Sequence, residues 1–286
     1  MILVSHLHLP RALATTCMIG GLCLPNVAAG RATGAHVVTV VATDFAFQLP
    51  ASIPAGPTTF RLVNHGKQVH QLSMMRLDSG KTASEAFAAL LKAGHGARPA
   101  WMHPVGGPNA VAPGGESSAT LAMEPGSYML FCEVPGPTPT PHFVLGMLKA
   151  FVVRAPSRHA VPPHADLTLK LTDYDFVFSH PLTSGLRTIA VVNAASQPHM
   201  LVIYEMPSDQ PLGANVKSLL AWSRNPDDRL PPGTPYGGVT EISPGSTAVM
   251  TEKFEPGTYL LMCFVRDAKD GKPHFMHGMQ KQIVVQ

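Results

Sequence analysis

The feature that most constrains this chain is that it is written twice. Met123-Glu124-Pro125-Gly126-Ser127-Tyr128-Met129-Leu130-Phe131-Cys132 returns as Phe254-Glu255-Pro256-Gly257-Thr258-Tyr259-Leu260-Leu261-Met262-Cys263. Pro141-His142-Phe143 with Gly146-Met147 returns as Pro273-His274-Phe275 with Gly278-Met279. Thr43-Asp44-Phe45-Ala46-Phe47 returns as Thr172-Asp173-Tyr174-Asp175-Phe176. The offset stays at about 130 residues, so the 286-residue chain is expected to hold two copies of one domain. Their boundaries fall at 36–154 and 166–286. The segment 155–165 between them has three prolines and no apolar periodicity, and reads as an extended linker.

Each copy reads mostly as strands. Val38 and Val40, and Leu167, Leu169 and Leu171, recur at period two, while Thr58 to Val63 and Thr188 to Val192 are β-branched or aromatic runs after turn residues. Each Glu-Pro-Gly is a turn that starts a further strand. One helical insertion per copy is expected. In the first, Thr82 and Glu85 have capping-box spacing, Phe87, Leu90 and Leu91 form an apolar face, and Gly94 suits the position after the helix; the second is centred on Val216 to Trp222. Short strands with turn punctuation in about 120 residues predict an all-β fold of two tandem β-sandwiches.

Residues 1–29 have the layout of a secretory signal peptide. Arg11 is followed by the apolar run from Ala12 to Leu24, then by Pro25 and the small residues Val27-Ala28-Ala29. The run is short of the roughly 20 residues that span a bilayer, which argues against the alternative of an uncleaved anchor. A periplasmic or secreted protein without a transmembrane segment in its mature chain is expected. The 21 basic and 18 acidic residues are mixed along the chain with no block that would track phosphates, so nucleic acid is not an expected partner.

Removal of residues 1–29 leaves Cys132 and Cys263. In an oxidising compartment paired cysteines are normally disulfides. These two either pair with each other or are separately free thiols or metal ligands. Each ends a strand on the face it shares with Tyr128 and Leu130, or with Tyr259 and Leu261. Nine residues separate Cys132 from His142 and four separate His142 from Met147; the second copy has ten and four. A thiol, an imidazole and a thioether thus come from one loop. Far upstream, His70 follows Asn64 by six positions and His199 follows Asn193 by six.

This pattern resembles the cupredoxin family, whose copper is held by one upstream His and by a Cys, His and Met from a single loop. The resemblance covers nearly all of both copies and implies a Greek-key β-sandwich for each. It implies two type 1 coppers per chain, one on His70, Cys132, His142 and Met147 and one on His199, Cys263, His274 and Met279. It also implies that Asn64 and Asn193 tie the upstream ligand loop to the cysteine loop. The ligand loops are longer than in small cupredoxins and closer to the type 1 loop of copper nitrite reductases. Trigonal Cys and two His with a weak axial Met suits blue copper, because soft sulfur favours Cu(I) and imidazole serves both oxidation states.

Enzymes of the wider family place histidines beside the type 1 cysteine for a second copper centre. Here Cys132 stands between Phe131 and Glu133, and Cys263 between Met262 and Phe264. The expectation is therefore an electron carrier with redox partner proteins, and not an enzyme. The alternative is a protein that sequesters or delivers copper without redox turnover. Two further expectations follow. His142 and His274, flanked by Pro141 and Phe143 or Pro273 and Phe275, should emerge through an apolar collar as the electron port. The first copper should be the more oxidising, because the loop at Arg266, Asp267, Lys269, Asp270 and Lys272 draws water toward the second.

Overall fold

The computed structural model describes residues 33–93, 98–136, 140–155, 160–207, 210–224 and 231–286. Residues 1–29, Gly94 and part of the first ligand loop, 137–139, lie outside these. The first half contains β1 (Thr33–Gly34), β2 (His36–Thr43), β3 (Ala46–Gln48), β4 (Ser52–Pro54), β5 (Gly56–Asn64), β6 (Ser73–Leu77), α1 (Ala83–Ala93), β7 (Met102–Pro104), β8 (Glu116–Met123), β9 (Gly126–Phe131) and β10 (Leu148–Arg154). The second contains β11 (Ala160–Val161), β12 (Leu167–Thr172), β13 (Asp175–Phe178), β14 (Gly185–Asn193), β15 (His199–Met206), α2 (Leu212–Arg224), β16 (Thr234–Ile242), β17 (Thr247–Phe254), β18 (Gly257–Met262) and β19 (Gln280–Val285). The protein is thus mainly β, with one helix in each half.

Four strands of each half join in a single eight-stranded sheet, ordered β13-β12-β14-β17-β8-β5-β2-β3. Its centre is the antiparallel pair β17–β8, where Val249 faces Thr120 and Met250 faces Ala119. Outward from that seam the strands follow the same order on both sides. Each half closes its own sandwich with a second sheet, β4-β10-β9-β6-β7 in the first and β16-β15-β18-β19 in the second. Val38, Val40 and Ala42 of β2 point inward at period two, as do Leu167, Leu169 and Leu171 of β12. Phe60 of β5 meets Phe151 of β10 edge-on across the first sandwich at 6.2 Å, and Phe254 meets Tyr259 across the second at 5.4 Å.

The strand leading to the first cysteine serves two cores. Tyr128, Leu130 and Cys132 enter the main core, whereas Met129 and Phe131 point the other way into a smaller cluster under α1. That helix starts with the expected capping box: the Thr82 N–H donates to Glu85 Oε2 at 2.9 Å, and the Glu85 N–H donates to Thr82 Oγ1 at 3.1 Å. Ala86 and Leu90 are its buried residues. In the segment expected to be only a linker, Ala160–Val161 pairs in parallel with Thr33–Gly34. The halves meet in more than the seam, through the isolated bridges Val105–Ile242, Pro108–Val239 and Val111–Tyr236.

Candidate metal centres

Each cysteine lies one residue past the end of its strand, where the ladder between β9 and β10, or β18 and β19, runs out. Its amide still donates to the loop methionine's carbonyl, Cys132 to Met147 at 3.1 Å and Cys263 to Met279 at 3.2 Å. The loop then folds back: the Phe143 N–H donates to Cys132 O, and the Phe275 N–H to Cys263 O, both at 2.9 Å. These bonds bring His142 and His274 over the thiols. The upstream histidines follow the crossing from the large sheet, where Asn64 and Asn193 end β5 and β14: His70 lies just before β6, and His199 opens β15, the strands that pair with β9 and β18. Asn64 Nδ2 donates to Gln68 O at 2.8 Å and Val111 O at 3.1 Å; Asn193 Nδ2 donates to Gln197 O at 2.9 Å and Ile242 O at 3.0 Å. The asparagines therefore tie down the turn that precedes each upstream histidine.

The outcome is two buried triangles of donor atoms. In the first, His70 Nδ1 and His142 Nδ1 are 3.2 Å apart and lie 3.9 and 3.5 Å from Cys132 Sγ. In the second, His199 Nδ1 and His274 Nδ1 are 2.9 Å apart and lie 3.6 and 3.5 Å from Cys263 Sγ. The centre of such a triangle is about 2 Å from each corner, the bond length of a metal to nitrogen or sulfur ligands. All six residues are fully buried, as are Met147 and Met279, which share the main core with the cysteines. Both thiols are free, so the alternative of a disulfide between them is not the arrangement found.

The protonation chemistry fits a cation. Burial pushes both thiols up to about 12, so each keeps its proton in the absence of a positive charge. Burial, with repulsion from the neighbouring imidazole, pushes His142 and His274 down to about 4. They are neutral at pH 7 and present lone pairs. The upstream rings are oriented by a carboxylate behind each: His70 Nε2 lies 2.9 Å from Asp44 Oδ1, and His199 Nε2 lies 2.9 Å from Asp173 Oδ1. With Nε2 as the donor to Asp, Nδ1 is left as the acceptor facing the thiol. Burial opposes ionisation of Asp44, but the Lys67 and Gln68 amides and His70 outweigh it and lower its pKa.

These aspartates, and the aromatic residue after each, are the site residues that sequence reasoning passed over. Phe45 meets His142 edge-on at 5.0 Å, and Tyr174 meets His274 at 5.3 Å. The signal was present, because Asp44-Phe45 and Asp173-Tyr174 stand in the third repeated motif. Gln68 was passed over likewise; its Oε1 lies 2.9 Å from His142 Nε2.

The expected electron port does not emerge. His142 and His274 are wholly buried, and Phe143 and Phe275 are buried as well. In the first half α1 covers the collar: Phe143 packs edge-on against Phe87 at 6.3 Å and Phe131 at 6.0 Å. The exposed apolar residues nearby are Val144, Leu145 and Met276.

The second loop also differs from its expectation. Its charges do not simply draw water inward. Asp267 is only 4% exposed and faces His274 Nε2, with Oδ2 at 3.8 Å. The Tyr174 hydroxyl, the Gln197 amide and the Lys269 N–H all donate to Asp267 and hold its carboxyl well below the usual range. Lys272, by contrast, reaches outward to Asp270. The field at the second site is that of a buried anion rather than the loop's net positive sum.

No protein-family model matches the chain, and no curated protein matches it. Solved structures do. Auracyanin A, a blue copper protein from Chloroflexus aurantiacus, matches at 23% identity over 42% of this chain and 100% of its own, with TM-score 0.31. Blue copper oxidase from Nitrosomonas europaea matches at 14% over 89% of this chain and 86% of its own, TM-score 0.24. The Cu-containing nitrite reductase from Thermus scotoductus matches at 13% over 89% and 62%, TM-score 0.22. The expectation that the chain is not an enzyme is corrected by these matches. The oxidase and the nitrite reductase both match along 89% of its length.

Two measurements test this description. Asp44→Ala should weaken metal binding at the first triangle by about 10- to 100-fold while leaving the second unchanged, with Asp173→Ala doing the reverse; calorimetric titration reads both. The second concerns pH. His142 and His274 titrate near 4 folded and near 6.5 unfolded, so between those values the unfolded chain binds more protons. Stability of the metal-free protein should fall as pH drops through that window, by about 1.4 kcal/mol per pH unit for each histidine. A flat urea-unfolding profile from pH 7 to pH 4 would contradict it.

Proposed function

We propose that this chain, whose sandwiches are cupredoxin-like, is a copper-binding electron-transfer protein with one type 1 site in each half. The observation that carries the reading is the pair of buried Cys-His-His triangles, each with a Met on the same loop. The first site takes His70, Cys132, His142 and Met147, and the second His199, Cys263, His274 and Met279. Copper supplies a one-electron couple when bound, with sulfur favouring Cu(I) and imidazole serving both states.

The chain's own residues keep the site in one shape. Asp44 and Asp173 hold the upstream rings, while Asn64 and Asn193 hold the turns that carry them. The Met200 N–H points at Cys263 Sγ from 3.4 Å, which supports a thiolate there. Phe45, Tyr174 and the buried collar phenylalanines exclude water. Such a site has little to rearrange when an electron arrives. Complete burial of the Cys, His and Met residues also favours retention of the metal over its delivery, since release must first open the loop.

We assign both sites to a duplicated domain, 36–154 and 166–286, on the repeat and on the matching strand order either side of the seam. We place the protein in the periplasm or outside the cell, with redox proteins as partners. The leader-like residues 1–29 support this, and among the described residues no helix is long and apolar enough to cross a membrane.

The mature chain loaded with copper should hold two ions and show the intense absorption of thiolate bound to Cu(II). Cys132→Ser and Cys263→Ser should each remove one blue centre and leave the other; a colourless copper-loaded protein would sink the reading. Rapid surrender of copper to a chelator, without reversible reduction, would favour delivery instead.

The second site should have the lower potential, because the buried Asp267 carboxylate favours the more highly charged Cu(II). Asp267→Asn should raise that potential by roughly tens of millivolts and leave the first unchanged. Redox titration of the variant in the Cys132→Ser background, where only the second copper remains, decides it.

A further inference from the structure

We propose that the two sites exchange electrons within one chain, across the interface where Leu72 and Glu133 of the first half meet Thr240 and Glu241 of the second. The inference rests on the copper reading above and adds to it a function for the pairing of two sites.

Both sides of this contact begin at ligand residues. In the first half, Leu72 lies two residues after His70, and Glu133 directly follows Cys132. In the second, Thr240 and Glu241 lead into Ile242. That residue stands opposite His199 in the ladder between β15 and β16, and its carbonyl accepts from Asn193 Nδ2 at 3.0 Å.

Two connections cross between these segments. Thr240 Oγ1 donates to Leu72 O at 3.1 Å, with both residues completely buried. The approach is close enough to require glycine opposite: Gly107 has φ +155°, a Cβ there would lie 2.0 Å from Leu72 O, and Gly107 O accepts the Thr240 N–H at 2.9 Å. The second connection is ionic. Arg98 donates through one guanidinium nitrogen to Glu133 Oε1 at 2.6 Å and through the other to Glu241 Oε2. Glu133 Oε2 also accepts from Ser73 Oγ at 2.9 Å. Burial works against the Arg98 charge, but Glu133 and Glu241 outweigh it and keep the guanidinium protonated.

A route from one site toward the other thus runs through covalent bonds and a short hydrogen bond as far as the ladder partner of His199: His70 to Leu72, across to Thr240, and on to Ile242. A parallel one runs from Cys132 through Glu133, Arg98 and Glu241 to Ile242. Electronic coupling decays more slowly along bonds and hydrogen bonds than across packed but unbonded atoms. The ordinary role of such contacts is to hold two halves together, and the seam and isolated bridges already do that. What distinguishes these two is that each starts and ends within two residues of a ligand or of its ladder partner. Residues 32–286 form one compact unit, so both ends of the route lie in the same body.

The exchange is a one-electron step. Cu(I) at one site is oxidised to Cu(II) as Cu(II) at the other is reduced to Cu(I), with no proton or ligand leaving either site. The test uses the full chain with both coppers, in a Met279→Gln background that changes the axial ligand so the second centre absorbs apart from the first. Copper content and both blue bands are recorded beforehand. A substoichiometric pulse of a small radical reductant then places one electron per chain. The expected result is a first-order redistribution between the bands whose rate does not depend on protein concentration. Thr240→Val and the double variant Arg98→Met/Glu241→Gln should each slow it several-fold, and their combination more, with rates compared at each variant's measured potentials. Equal rates in all variants that retain both bands, or a rate proportional to concentration, would overturn the proposal. Absence of either band in the parent, seen before the pulse, would instead overturn the copper reading on which it rests.

Discussion

The pairing of β8 with β17 is a short contact, yet it decides what kind of molecule the two halves make. Two sandwiches joined by a linker alone would present open sheet edges and move independently. Pairing Val249 with Thr120 and Met250 with Ala119 turns two edges into the centre of a continuous sheet. It also fixes the faces that pack beside it. Val105, Pro108 and Val111 of one half then meet Ile242, Val239 and Tyr236 of the other. Val111 is the residue whose amide and carbonyl both bond His70, and Ile242 the one that stands opposite His199. The seam thus sets the scaffold on which both upstream histidines are hung.

Much of each triangle was legible in the sequence, because residue sets with loop spacing leave a local trace. Cys132, His142 and Met147 lie within sixteen consecutive residues, and the second set within seventeen. The upstream histidine could be placed because it too recurs at a fixed distance after an asparagine. The sandwich class was legible for the same reason: period-two patterns such as Val38-Val40 and Leu167-Leu169 record burial within one strand. The helix at Thr82 announced itself through a cap that spans only three residues.

What stayed hidden are relations between distant segments. Asp44 stands in a repeated motif, but the repeat does not say that its carboxylate lies behind His70, 26 residues away. Arg98 gives no hint in sequence that it will bridge Glu133 and Glu241. Burial of Phe143 required knowing that α1 would lie over the collar, and an apolar flank was read as a surface when it is a packing contact. The loop charges at 266–272 were counted as a sum, whereas the fold sorts them, turning Asp267 inward and leaving the lysines in water. A charge count predicts the field at a site only when all its members are equally solvated.

That sorting separates two otherwise parallel centres. Behind His142 stands the neutral Gln68, accepting at 2.9 Å. The matching Gln197 instead donates to Asp267, and His274 Nε2 is left buried without a hydrogen-bond partner among the described residues. A neutral acceptor orients a ring without favouring either charge state of the metal in front of it. A buried anion favours the more positive state. On the proposed copper reading, matching residues with unlike surroundings would give unequal affinities for an electron, with a direction from the Asp267 side toward the Gln68 side. The sequence difference lies partly in the longer second loop, whose Asp267-Ala268-Lys269-Asp270 run has no counterpart in the proline-rich first loop, and partly in Tyr174, whose hydroxyl donates to Asp267 where the first copy has Phe45.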